Sequence, residues 1–127
     1  RFSSITKFRP YAKLIPTTRE HSMITAIIQF KVPSDVTLAK AAELFRGSAP
    51  KYRGIDGLVR KYYLYNPDDS VAGGVYLWRT RAAAEKAYDA AWRKMIEERY
   101  GSKPLVSYFE TPVIVDNDRG VIEDHAA

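Results

Sequence analysis

Residues 57–78, GLVRKYYLYNPDDSVAGGVYLW, decide the fold. Leu58 to Asn66 is rich in tyrosine and aliphatic residues and reads as a β-strand. Asn66-Pro67-Asp68-Asp69 is turn chemistry, since proline presets φ and Asn and Asp side chains bond their own backbone. Val71 to Arg79 reads as the returning strand, and its Gly73-Gly74 pair marks a bulge or a close approach of something to the backbone. Pairing around this turn predicts two faces. One carries Val59, Lys61, Tyr63 and Tyr65 with Gly74, Tyr76 and Trp78; the other carries Leu58, Arg60, Tyr62 and Leu64 with Val75 and Leu77.

Upstream of the hairpin, Ile24 to Val32 is β-branched and apolar and ends at Pro33, a further strand. Ser34, Asp35 and Thr37 offer helix caps, and Leu38, Ala41, Ala42, Leu44 and Phe45 recur at helical spacing. Gly47 and Pro50 interrupt that pattern, which predicts a helix ending near Arg46 and a second short turn started by Ser48. Downstream, Thr80 caps a helix expected from Arg81 to about Tyr100, closed by Gly101. Ala84, Ala87, Tyr88, Ala91, Met95 and Ile96 form its apolar stripe, with Trp92 off the centre. Leu105 to Val115 is the last strand, broken at Pro112.

The order β-α-β-β-α-β predicts an α+β, ferredoxin-like antiparallel sheet with helices on one face. The uncovered face needs a partner, and a homodimer with sheets packed together supplies one. The expected organisation is a ferredoxin-like domain over residues 23–115, a polar C-terminal tail over 116–127, mobile or swapped, and a leader or arm over 1–22. For the leader three readings stay open: upstream sequence, an arm packing on a partner subunit, or a targeting peptide.

Composition narrows the function. The chain has 127 residues, 46% of them hydrophobic, enough for one domain with a real core. No apolar run approaches the ~20 residues that span a bilayer, so no membrane partner is expected. The absence of cysteine excludes disulfides, thiolate metal sites and a cysteine nucleophile, and fits a reducing, cytoplasmic setting. The net charge of +5 is concentrated in residues 1–22, which carry +4, so the body is close to neutral and nucleic acid is not an expected partner. Both histidines, His21 and His125, lie outside the expected core, which disfavours a buried histidine base or a multi-histidine metal centre. Glu123, Asp124 and His125 are at most a weak metal signal. No glycine-rich phosphate loop and no G-x-S-x-G elbow is present.

What remains is the aromatic face of the hairpin: a cation, three phenols, an indole and a glycine gap. Such a face suits a planar organic ligand, and equally well it is core or interface filling. Lys61 either reaches solvent or, desolvated beside phenols, holds an anionic or enolate oxygen. Trp92 either caps the same cavity or packs at the margin of its helix.

The hairpin followed by RAAAEKAY resembles the YdhR-like mono-oxygenases of the dimeric α/β-barrel superfamily, alongside the antibiotic-biosynthesis mono-oxygenases. The resemblance spans about Met23 to Val115, and Gly73 to Trp78, at its distance after Gly57-Leu58 and Lys61, is its most specific piece. It implies a ferredoxin-like fold, a dimer built through the sheets and a small apolar pocket between sheet and helices. It also implies oxidation of a small aromatic or quinol-like metabolite by O2 without metal, flavin or other cofactor. Under that reading Lys61 and Tyr63 are catalytic, and Tyr65, Gly74, Tyr76, Trp78 and Trp92 bind the substrate. The alternatives are a non-catalytic dimer that binds a small hydrophobic molecule, or a cyclase or isomerase on the same fold.

Overall fold

The computed structural model describes residues 23–126; the leader expected over residues 1–22 lies outside them. The elements are β1 (Ile24–Lys31), α1 (Leu38–Ser48), a 3-10 turn (Ala49–Tyr52), β2 (Leu58–Asn66), β3 (Val71–Trp78), α2 (Arg81–Ala87), α3 (Ala90–Tyr100), β4 (Leu105–Glu110), β5 (Val113–Asp116) and β6 (Val121–Asp124). β1 to β4 form one antiparallel sheet in the order β2-β3-β1-β4, the ferredoxin-like arrangement, with the helices on one face. No helix among the described residues is long and apolar enough to cross a membrane.

Local chemistry starts and stops the elements much as the sequence suggests. The Thr37 hydroxyl accepts from the Lys40 amide (3.1 Å) and opens α1, and Pro50 sits in the first turn of the 3-10 segment, where its missing donor is harmless. Asn66 Oδ1 accepts from the Asp68 amide (3.1 Å) to build the hairpin turn. The Thr80 hydroxyl accepts from the Ala83 amide (3.0 Å) to open α2, and Gly101, at φ 92°, closes α3.

The single helix expected from Arg81 to Tyr100 is two. Tyr88 leaves helical geometry (φ −96°, ψ 50°), and the Asp89 carboxylate takes the Trp92 amide (2.8 Å) as a fresh N-cap. The restart changes the helical phase. Ala91 turns to solvent, and Trp92, Ile96 and Tyr100 become the buried side of α3.

A second correction concerns the start of β2. The register against β3 slips between Leu58 and Arg60, so the bulge lies there and not at Gly73-Gly74. Leu58 therefore packs into the core opposite Trp78, and Val59 joins Tyr62, Val75 and Leu77 on the open face, the reverse of the alternation in the sequence. Gly73 marks a close approach instead: a Cβ there would stand 1.8 Å from the Ile28 carbonyl oxygen.

The third difference is at the C-terminal end. Pro112 ends pairing with β1, and the chain leaves the sheet to form the β5–β6 hairpin, in which Asp116 pairs with Val121. This hairpin crosses the boundary at residue 116, where a polar tail was expected. It faces Thr25, Tyr62, Val75 and Leu77 across a cleft of about 640 Å³.

The core lies between the sheet and the helices: Ile24, Ala26, Ile28 and Phe30 of β1, Ala72, Tyr76 and Trp78 of β3, Phe45 of α1 and Trp92, Ile96 and Tyr100 of α3. The other face leaves Tyr62, Leu64, Leu105 and Phe109 between 41% and 63% exposed.

Candidate functional site

Register places the candidate residues in two adjacent rows on the helix-covered face. Lys61 is opposite Tyr76, which is opposite Ala26; Tyr63 is opposite Gly74, which is opposite Ile28. The glycine is what gives the lysine its position. A Cβ on Gly74 would come within 3.4 Å of Lys61 Cε and 3.2 Å of the Tyr76 ring, so the Lys61 stem leans into the space that a side chain would take.

The Lys61 amine is enclosed by rings. Its Nζ stands 3.4 Å from the ring centre of Tyr52, 3.7 Å from Tyr63 and 4.6 Å from Tyr76. Burial pushes its pKa down to about 6, and the positive charge of Lys51 adds a smaller push the same way. The ring faces act in the opposite sense, because their quadrupoles stabilise an ammonium. The group is thus able to exchange a proton near neutral pH, which an ordinary lysine is not.

The phenols around it are held neutral. Burial raises the pKa of Tyr76, with the neighbouring phenols Tyr52 and Tyr88 adding to it, and burial likewise raises Tyr63 and Tyr88. Three of the surrounding hydroxyls have partners in a serine and two indoles. The Ser48 hydroxyl donates to the Phe45 carbonyl (3.2 Å), so its 2.7 Å contact with Tyr63 has Tyr63 as donor. Trp92 Nε1 donates to the Tyr52 hydroxyl and Trp78 Nε1 to the Tyr88 hydroxyl, both at 3.0 Å.

A chamber of about 20 Å³ reaches Lys61 and Tyr63, room for one molecule the size of water. Phe45, Tyr52, Tyr76, Trp92 and Met95 are among its walls. Tyr63 is stacked on Phe45 with ring centres 4.7 Å apart. Beyond Phe45 and Tyr100, which border both spaces, lies a mostly apolar groove of about 300 Å³ between α1 and the end of α3.

The structure brings Lys61, Tyr63, Tyr76 and Trp92 together at the chamber. Gly74 lies beneath, as the gap that seats Lys61. Tyr65 instead lines the groove, its hydroxyl bound to the Val36 carbonyl. Trp78 is fully buried behind Tyr76, their rings parallel at 6.2 Å, and does not border the chamber. Tyr52, Ser48 and Phe45 complete the site, and sequence reading did not single them out. Tyr52 arrives on the 3-10 turn, which has no hydrophobic period; the Pro50 that starts the turn was its one visible signal.

His125 is remote from the chamber. Its Nε2 lies 2.8 Å from Glu123 on the β5–β6 hairpin, and Glu123 also takes the Arg119 guanidinium at 3.1 Å. Among the described residues no three His, Asp or Glu side chains are grouped as metal ligands.

The sequence profile of the family described as "Putative mono-oxygenase ydhR" matches residues 27–108. No curated protein matches the chain. Among solved structures, a monooxygenase from Streptomyces coelicolor in complex with the ligand nanaomycin D has a TM-score of 0.55 at 18% identity, covering 72% of this chain and 88% of that one. SnoaB, a cofactor-independent oxygenase from Streptomyces nogalater, has a TM-score of 0.53 at 18% identity, covering 71% and 93%. A protein of unknown function from Nitrosomonas europaea has a TM-score of 0.55 at 15% identity, covering 72% and 91%. At these identities the likeness shows a shared fold.

Proposed function

The chain belongs to the ydhR family of mono-oxygenases, and from that premise we propose that it oxidises a small hydroxy-aromatic or quinol-like compound with O2, without metal or flavin, using Lys61 as the base. The observation that carries this reading is the seating of the Lys61 amine among three phenol rings with its pKa lowered to about 6. A histidine-free core thereby still contains a group that takes a proton at neutral pH.

In the reaction, Lys61 removes a proton from an acidic O–H or ring C–H of the substrate and becomes an ammonium. The resulting anion supplies the electrons to O2. For a ring methylene the balance is CH2 + O2 → C=O + H2O: one oxygen atom enters the substrate, the other leaves as water, and no external reductant is needed. The neutral phenol of Tyr76 and the ring of Tyr63, whose own hydroxyl is donated to Ser48, flank the place of the substrate oxygen, and the aromatic surround limits the access of water.

Oxygen uptake with a panel of hydroquinones and anthrones tests this. The wild-type rate should rise through pH about 6, as Lys61 loses its proton, and Lys61→Met should lose that rising limb. Equal rates for wild type, Lys61→Met and buffer end the catalytic reading. A groove of about 300 Å³ that Lys61 does not line favours a second reading, a protein that binds such a compound without turning it over; binding with no oxygen uptake selects it.

The open sheet face supports a homodimer. Tyr62, Leu64, Leu105 and Phe109 present apolar surface that the described residues do not cover, and His125 Nδ1 is buried with no hydrogen-bond partner among the described residues. Sedimentation showing only a 14.4 kDa species at micromolar concentration contradicts it.

A further inference from the structure

We propose that the site is divided into two compartments: the flat aromatic substrate lies in the groove between α1 and α3, and dioxygen occupies the chamber beside Lys61. This rests on the mono-oxygenase reading above and assigns each reactant its place.

Size makes the first argument. The chamber, at about 20 Å³, admits a diatomic molecule and excludes any ring, whereas the groove, at about 300 Å³, is within the range of small-ligand sites. The character of the walls makes the second. The chamber wall is mainly apolar, made of rings with Ile28 and Met95; Lys61, Ser48 and Arg99 also border it, and the Tyr63 and Tyr52 hydroxyls are already bonded to Ser48 and to the Trp92 indole. The groove has Val36, Leu44 and Phe45 for the faces of an aromatic ligand, with Lys40 and Arg99 at its margin for an anionic oxygen.

Charge makes the third. Once Lys61 holds the substrate proton it is an ammonium adjacent to the chamber, within low-dielectric surroundings. One electron passing from the substrate anion to O2 then creates superoxide beside a positive charge, which stabilises it strongly there. The radical pair combines to a carbon–oxygen bond, the Lys61 ammonium returns its proton to the peroxide, and loss of the remaining C–H proton with cleavage of the O–O bond gives the carbonyl and water. Phe45, stacked on Tyr63, forms with Arg99 and Tyr100 the partition shared by both spaces, across which the substrate hydroxyl has to reach Lys61.

The test is methyl NMR on the full chain, with a dihydroxyanthraquinone as a non-oxidisable probe and dissolved O2 as a paramagnetic one. The quinone is expected to shift the Val36 and Leu44 signals. O2 pressure is expected to broaden Ile28 at least about threefold more than the equally buried Ile24, with the quinone present or absent. Leu44→Trp should weaken quinone binding about tenfold and leave the O2 broadening, while Met95→Phe should remove the broadening and leave quinone affinity within about twofold. Broadening at Ile28 no greater than at Ile24 overturns the oxygen chamber. Loss of the broadening when quinone binds overturns the division. If both ligands bind as described and anthrones consume no oxygen, the catalytic reading falls and the two compartments stand.

Discussion

Tyr62 and Tyr63 are neighbours in one strand and occupy opposite worlds. Tyr63 is stacked on Phe45, hydrogen-bonded to Ser48 and packed beside the Lys61 amine. Tyr62 is 54% exposed and its hydroxyl has only the exposed Arg60 at 3.3 Å. The same division runs across the sheet. The helix face closes within one chain around a chamber of about 20 Å³, while the open face leaves its aromatics uncovered and its cleft is about 640 Å³. The larger of these two voids is thus on the face without the buried cation. Volume alone points to the open face; the perturbed lysine and the enclosing rings are what make the closed face the proposed site.

The sharpest way to break the closed face is Gly73→Ala. Its Cβ would meet the Ile28 carbonyl carbon as well as its oxygen, both backbone atoms, so β1 must move away from β3. We expect a loss of about 3 kcal/mol or more in urea unfolding, against less than about 0.5 kcal/mol for Leu64→Ala measured on the isolated chain. A Gly73→Ala protein as stable as wild type would mean that the sheet is far softer than its packing implies.

Next in size is a charge on the open face. Phe109→Asp should weaken a sheet-to-sheet dimer at least about 100-fold, equivalent to about 2.7 kcal/mol, while the circular dichroism of the monomer is unchanged. Unaltered sedimentation in this variant would remove the open face from the assembly and leave its exposed aromatics without a role.

These contrasts were only partly legible in the sequence. The order of elements along the chain, the turn at Asn66–Ser70 and the separation of Lys61 and Tyr63 from Tyr62 and Leu64 follow from hydrophobic periodicity and from turn chemistry, both local signals. The Leu58/Arg60 bulge was not legible, because a one-residue slip leaves no mark in composition and reverses Leu58 and Val59. The break at Tyr88 was equally hidden inside an alanine-rich helical pattern; Asp89 as an internal cap was its one trace. Tyr52 could not be found by periodicity, since its place over Lys61 depends on where a four-residue turn lands after α1. The closed state of the chamber is a matter of side-chain volume in three dimensions, which no spacing records.

Lys61→Met probes the cost of the buried cation. The unfolded chain keeps the lysine proton up to pH about 10.4, whereas the folded chain releases it near 6. Between those values unfolding takes up a proton, so wild-type stability rises with pH; the penalty is greatest below pH 6 and gone above about 10.4. Methionine carries no such penalty. The variant should therefore be more stable by about 2 kcal/mol at pH 7, the ring faces recovering part of the full cost in wild type, and the advantage should shrink toward pH 10. Denaturant titrations at pH 6, 7, 8 and 9 read this directly, and a pH-independent difference would show that Lys61 is not the titrating group.

The smallest effect returns to the neighbouring tyrosines. Tyr63→Phe removes the donor to Ser48 but keeps the ring on Phe45 and its face toward Lys61. The Ser48 hydroxyl still donates to the Phe45 carbonyl, so the serine loses only an acceptor contact, and the expected cost is about 1 kcal/mol. Tyr62→Phe removes an exposed hydroxyl from a 3.3 Å contact with a solvated guanidinium and should change monomer stability by less than about 0.5 kcal/mol. The ordering of the two is the informative quantity, since the deleted atom is the same and only the face differs. If Tyr62→Phe proves the more costly variant in a dimer and not in a dilute monomer, its hydroxyl is used across the interface, and the open face is as specifically built as the closed one.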